Sequence, residues 1–154
     1  MSTADDEENL GVRIHDASAG DARQPAPGLD QLTVLLDRVR DTGLQVDHHI
    51  TGTPVELPPA LQLTAYRAIQ EALTNVIRHS DATWAKIRLS YSDQQLRVQI
   101  DDDGVGLPGD HAEGFGLRGL RERVEAIGGT MNVGPTPSGG FRLRADLPYL
   151  EGER

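Results

Sequence analysis

The stretch YRAIQEALTNVIRHS, residues 66–80, decides how the rest of the chain is read. Extended back to Pro58-Pro59, it sets Leu61, Ala65, Ala68, Ile69, Ala72, Leu73, Val76 and Ile77 at helical spacing, a broad apolar face for a long helix ending near Ser80. Proline in the first turn costs nothing, because its missing donor would have no intrahelical partner. A second set, Glu71, Asn75, Arg78 and His79, is separated by four and then three or four residues, so these side chains leave one side of the helix and can converge on one ligand. The carboxylate and the amide oxygen are hard donors suited to magnesium or to handling a proton, and Arg78 and His79 suit phosphate oxygens. Taken alone, the set is also what the solvated stripe of an amphipathic helix looks like, although it lacks the usual mixture of Lys and Glu.

Working outward, WAKIRLSY (84–91) and LRVQIDD (96–102) alternate as two strands around a turn at Ser92–Gln95 and should pair as a hairpin. GLRGLRERVEAIGG (116–129) reads as a helix stopped by Gly128-Gly129. TMNVGPT and GFRLRADLP then form a second hairpin around Pro137-Ser138-Gly139. Upstream, Asp30 is placed to cap a helix over QLTVLLDRVRDTG, with Gly43 as its stop, and LQVDHHITG (44–52) alternates as a strand. Residues 1–27 combine an acidic opening with Ala, Gly, Ser and Pro and show no periodicity, so they read as a tail or linker. The expected domain is 28–149, with 150–154 a short tail. Hairpins and helices in this order predict an α+β two-layer sandwich, not an alternating parallel α/β fold.

Composition removes several functions. There is no cysteine, so no disulfide framework, thiolate nucleophile or Cys-ligated zinc is available. A formal net charge of -9 repels a phosphate backbone, which argues against nucleic-acid binding. No apolar run reaches the roughly 18–20 residues of a membrane span, and the opening MSTADDEEN is acidic where a signal peptide is basic. The sequence thus reads as a cytoplasmic polypeptide with no direct membrane contact.

The second chemical cluster is IDDDGVG (100–106), followed by GFGLRGL (114–120). Asp102 ends a strand, and Gly104 and Gly106 let the backbone turn sharply beside a planar ligand, so the carboxylate could accept a hydrogen bond from an exocyclic amine such as that of adenine. An acidic turn after a strand accounts for the same segment equally well. GVGLPG and GFGLRG both satisfy the loose pattern GxGxxG, but neither has the strand, tight turn and helix that a dinucleotide fold requires. A P-loop is excluded, because the only lysine, Lys86, follows Ala85 rather than glycine. A bound nucleotide would place its phosphates on the backbone donors opening the GFGLRGL helix, under a lid from Leu107 to Glu113. His48 and His49 are adjacent in a strand and point to opposite faces, which suits surface positions better than metal ligation.

With these residues in place, the chain resembles the ATP-binding catalytic domain of bacterial sensor histidine kinases, within the superfamily shared with gyrase, Hsp90 and MutL. YRAIQEALTNVIRHS is similar to the N box, DDGVG to the G1 box, GFGLRGLRERV to the G2 box and GGFRLRADLP to the terminal glycine block. The wording of these boxes is most similar to the subfamily whose response regulators carry a LuxR/NarL-type DNA-binding domain. The resemblance implies a Bergerat fold, a mixed sheet with helices on one face, and ATP with Mg2+ as ligand. By position, Asn75 would hold magnesium and Glu71 would act near the γ-phosphate. Arg78 and His79 would lie by the phosphates, and Asp102, Gly104 and Gly106 would receive the adenine. Gly114, Gly116, Leu117 and Gly119 would shape the lid hinge and phosphate contacts. The family's acceptor is a histidine on a separate dimerisation helix pair, and His15 in IHDAS, soon followed by Gly20, Pro25 and Pro27, looks more like the linker after that pair. Phe141 departs from the threonine of many members. The parent kinase of such a domain can be membrane-anchored. A free-standing anti-sigma-type serine kinase and a nucleotide-binding pseudokinase module share the motif set and stand as alternatives.

Overall fold

Period-two alternation in the C-terminal half is realised as sheet. The computed structural model describes residues 28–79, 81–104 and 116–149. A 3-10 turn at Leu29–Gln31 leads into α1 (Leu32–Arg40), followed by β1 (Gln45–Thr51), α2 (Pro59–His79), β2 (Trp84–Tyr91), β3 (Gln95–Asp102), α3 (Leu117–Ala126), β4 (Thr130–Pro135) and β5 (Phe141–Pro148). The strands form one mixed sheet in the order β1-β2-β3-β5-β4. β1 runs parallel to β2 and every other pairing is antiparallel. Both expected hairpins are present, but the second docks through β5 on β3, which leaves β4 at an edge.

The alternation sorts the two faces. Leu96, Val98 and Ile100 of β3, Ala85, Ile87 and Leu89 of β2, and Leu143, Ala145 and Leu147 of β5 are buried on the helix-covered side. The apolar face of α2 meets them with Leu61, Ala65, Ala68, Ile69, Ala72, Leu73 and Val76, all buried. Each large aliphatic side chain so buried contributes on the order of 1.5–3 kcal/mol, so this contact dominates the fold's stability. The opposite face is polar. There Arg97 pairs with Asp146 at 2.8 Å and Arg142 with Asp101 at 2.8 Å, each across a strand boundary. Such partly exposed pairs are worth about 0.2–1 kcal/mol, so they set register more than stability.

Two expectations are corrected. Asp30 does not cap α1: the chain enters through the 3-10 turn, Gln31 precedes the helix without a side-chain cap, and Asp30 lies inside the turn. Gly28, the residue before the turn, packs against the side-chain amide of Gln62 on α2. His48 is not a plain surface residue. It points inward from β1, half-buried with a buried Nε2 that has no hydrogen-bond partner among the described residues, whereas His49 is exposed.

Candidate functional site

The polar set on α2 shares one side of the helix as its spacing requires, but sits at different depths. Asn75 is 4% exposed and its Nδ2 has no partner among the described residues; Thr74 is as deeply buried, its hydroxyl likewise unpartnered among them. Leaving such a group unpaired costs about 1–3 kcal/mol, which is tolerated where a ligand completes it. Half a turn about the Cβ–Cγ bond exchanges its N and O ends, so this position offers either a donor or an acceptor. Glu71, one turn earlier, is half-buried, and Arg78 is exposed. Burial pushes the Glu71 carboxyl above its ordinary pKa, against the pull of the Arg78 and then the Arg67 guanidinium. The set therefore holds a buried amide beside a half-buried carboxyl whose neutral form burial favours.

What lies against Glu71 is the start of α3. Gly116 precedes that helix at φ +87, and a side chain there would run into the Glu71 carboxylate. Its N-cap residue, Gly116, has no side chain with which to satisfy the first backbone donors of α3, and such donors suit an anion. Leu117 is buried and Gly119 faces open space. Between the two helices lies a cleft of about 230 Å³, lined by Arg67, Gln70 and Glu71 on one side and Gly116, Gly119, Leu120 and Arg123 on the other.

The acidic run resolves into three separate roles. Asp101 faces the open side of the sheet and is taken by Arg142. Asp103 receives the Thr83 N–H at 2.8 Å, the Thr83 hydroxyl at 2.6 Å and the Trp84 N–H at 3.0 Å, fastening the start of β2. Burial works against its charge, but these donors outweigh it and hold its pKa below the ordinary value. Asp102 alone turns under the helices, 2% exposed, and accepts the Gly104 N–H at 2.8 Å. Burial raises its pKa, the Gly104 and Phe141 N–H groups oppose that, and the charges of Asp103 and Asp101 add to it. Gly140 passes so close to the Asp102 carbonyl that any side chain at 140 would collide with backbone. Phe141, the position that departs from the family pattern, is buried in the core.

The structure thus gathers Glu71, Asn75, Gly116, Leu117 and Gly119 around α2 and the head of α3, with Asp102 and Gly104 at the end of β3. Gly106, Gly114, the proposed lid at 107–113 and His15 lie outside the described residues, as does the side chain of His79. Sequence reading missed Arg67, Gln70 and Thr74. For Arg67 a signal was present, since it precedes Glu71 by four residues and shares its side of the helix. Among the described residues no three His, Asp or Glu side chains cluster as a metal site. Mg2+ characteristically takes one or two protein oxygens and completes its shell with phosphate and water, and the buried Asn75 amide with the neighbouring Glu71 carboxylate fits that demand.

Residues 60–151 match the family model described as histidine kinase-, DNA gyrase B-, and HSP90-like ATPase. Over 125 residues the chain is 38% identical to the sensor histidine kinase YxjM of Bacillus subtilis, covering 80% of this chain and 30% of that protein. It is 41% identical over 93 residues to the signal transduction histidine-protein kinase/phosphatase UhpB of Salmonella typhimurium, covering 60% and 18%. The chain therefore spans under a third of the length of these relatives. Among solved structures, the blue-light activated histidine kinase of Erythrobacter litoralis EL346 superposes with a TM-score of 0.62 at 26% identity, over 80% of this chain and 42% of that one. The ATP binding domain of PrrB from Mycobacterium tuberculosis gives 0.57 at 27% identity, over 77% and 94%.

Proposed function

The chain belongs to the histidine kinase-, DNA gyrase B- and HSP90-like ATPases, on their sensor histidine kinase branch, and from that premise we propose that it binds Mg2+-ATP and delivers the γ-phosphate to a histidine on a separate dimerisation segment. The observation that carries this reading is the buried, unpartnered amide of Asn75 one helical turn from Glu71, where α3 begins. The domain in question is 28–149, with the residues before it a linker. The phosphohistidine would then serve a response regulator, and the wording of the boxes favours one of LuxR/NarL type.

In this reading Asn75 holds the magnesium ion, whose charge when bound offsets that developing on the transferring phosphoryl group. The uncapped N–H groups opening α3 receive phosphate oxygens, with Gly116 and Gly119 keeping side chains out of their way. Asp102 accepts the adenine amine from beneath the sheet end, steadied by Gly104. Arg78 and His79 stand at the phosphate end. Glu71 takes the N–H proton of the acceptor imidazole as the other, unprotonated ring nitrogen bonds the γ-phosphorus and the departing ADP oxygen keeps the electron pair of the broken P–O bond. Catalysis of this kind is mostly positioning and charge neutralisation, which suits a site built on a rigid core helix. Calorimetric titration with a non-hydrolysable ATP analogue tests the core claim. Binding should require magnesium in the unaltered chain and lose that requirement in Asn75→Ala; equal affinity in both, with and without the ion, would refute it.

A further inference from the structure

We propose that the bare face of the sheet is an anion-binding surface and that its occupant is the acidic opening of this same chain, Asp5-Asp6-Glu7-Glu8. The inference is independent of the kinase reading, because this surface lies on the side of the sheet away from α2, α3 and the proposed nucleotide site. Strand register builds it. His49, Arg88, Gln99, Arg144 and Asn132 are successive partners across β1, β2, β3, β5 and β4, so they form one line over the full width of the sheet. Each carries a donor and none is a carboxylate. In the line on one side Arg142 is held by Asp101, and in the line on the other Arg97 is held by Asp146. Within the middle line, Gln99 donates to Asp101 at 3.3 Å. Arg88 is exposed and Arg144 partly so, and neither makes a hydrogen bond or ion pair among the described residues.

Charge then selects the ligand. The chain carries -9 overall, yet this face presents Lys86, Arg88, Arg97, Arg142 and Arg144 against only Asp47, Asp101 and Asp146, an excess of cations centred on the two unpaired guanidinium groups. Asp5 to Glu8 is the longest unbroken acidic run in the sequence, and the next, Asp101 to Asp103, is built into the end of β3. Spacing agrees. Arg88 and Arg144 lie two strands apart, about 10 Å between Cα atoms, which is about the distance from residue 5 to residue 8 of an extended segment. The chain enters the domain at Gly28, packed on Gln62 in the first turn of α2. A segment of roughly twenty residues, the separation of Glu8 from Gly28, spans about 25 Å as a random coil and up to about 70 Å extended, against a sheet about 19 Å wide. Tethering holds the acidic run at an effective concentration on the order of millimolar, which populates surface ion pairs too weak to form between separate molecules. Docking there holds the entering chain on the side of the domain opposite the site.

The sequence has no cysteine, so a nitroxide on Ser2→Cys of the full chain is a single clean probe. At low salt, paramagnetic broadening should centre on the amides of Arg88, Gln99 and Arg144 and be weak on α2 and α3. It should fall at least about threefold in about 0.5 M salt, where screening shortens the reach of charge. Arg88→Glu with Arg144→Glu should abolish the pattern while leaving the melting temperature and the affinity for a non-hydrolysable ATP analogue unchanged. Adding Asp5→Lys, Asp6→Lys, Glu7→Lys and Glu8→Lys to that pair should restore it. If the reversed pair does not fold, Arg88→Gln with Arg144→Gln removes both charges and should weaken the broadening at the same amides. Broadening spread evenly over the domain, or centred on the helices, overturns the inference, as does a pattern that survives the loss of both arginines. Diluting the spin-labelled chain with unlabelled chain separates the occupants: a pattern that persists is intramolecular, and one that fades belongs to a second copy and overturns the assignment.

Discussion

Two glycines three residues apart in GFGLRGL should respond to alanine in opposite directions. Gly116 sits at φ +87, where a Cβ costs on the order of 1–3 kcal/mol of backbone strain. Gly119 lies within α3 at an ordinary helical φ with nothing within 4 Å of a new methyl, so alanine there should stabilise by up to about 1 kcal/mol through helix propensity alone. At about 3–5 °C per kcal/mol for a domain of this size, Gly116→Ala should melt about 3–15 °C lower and Gly119→Ala a few degrees higher. The collision of the new methyl with Glu71 adds little to the first figure, since a carboxylate at the end of a flexible side chain can swing away. That displacement should instead appear in phosphoryl transfer, which should fall at least tenfold in Gly116→Ala even at temperatures where it is fully folded. Circular dichroism melts at fixed pH, paired with transfer rates at 15 °C, separate the two effects. A Gly116→Ala protein that melts with the parent, or a Gly119→Ala protein that melts below it, would refute the reasoning.

Other expectations concern single groups. Asn75→Leu should hold or raise the melting temperature, because it removes an unpaired buried amide, while lowering magnesium-dependent nucleotide affinity at least tenfold by calorimetry. Asp103→Ala should cost about 1–2 kcal/mol in urea denaturation, the scale of losing a capping carboxylate, because three donors at the start of β2 lose their acceptor. For His48, burial first, then the charges of Arg40 and His49, lower the folded pKa. The stability it contributes is thus present above the unfolded value near 6.5 and lost as pH falls below it, so the melting temperature should decline from pH 7.5 to 5.5 and decline less in His48→Gln. Glu71 and Asp102 act in the reverse sense through their raised values, and their protonation at lower pH should flatten that decline.

What sequence reading captured is what short-range periodicity dictates. The apolar spacing of α2, the turns at Ser92–Gln95 and Pro137–Gly139, and the Gly128-Gly129 stop all depend on neighbours within a few residues, and all stand where expected. Strand order was not legible from the residues themselves: β5 inserts between β3 and β4, and β1 pairs in parallel with a strand more than thirty residues away. The acidic run shows the limit most clearly. Only the partnership of Asp101 with Arg142, across a sequence separation of 41, and of Asp103 with Thr83, across 20, leaves Asp102 as the carboxyl turned toward the site. Arg123 stands beside Arg118 and Arg121 in the sequence, but its meeting with Arg67 at one cleft depends on how α3 lies along α2, which no local pattern specifies.

The position of α2 between sheet and site makes it a ruler as well as a wall. Because the residues that fill the core and those that face the ligand alternate on one helix, the separation of Glu71 from Asn75, about 6 Å along the axis, cannot be altered without moving Leu73 and Val76 out of their sockets. A single inserted residue between them would turn everything that follows by about 100° and carry Asn75 away from the ligand. The spacing is therefore locked by the cost of unpacking the core, and divergence in this chain is free to rework whatever reaches the cleft from outside while the distance measured along α2 stays fixed.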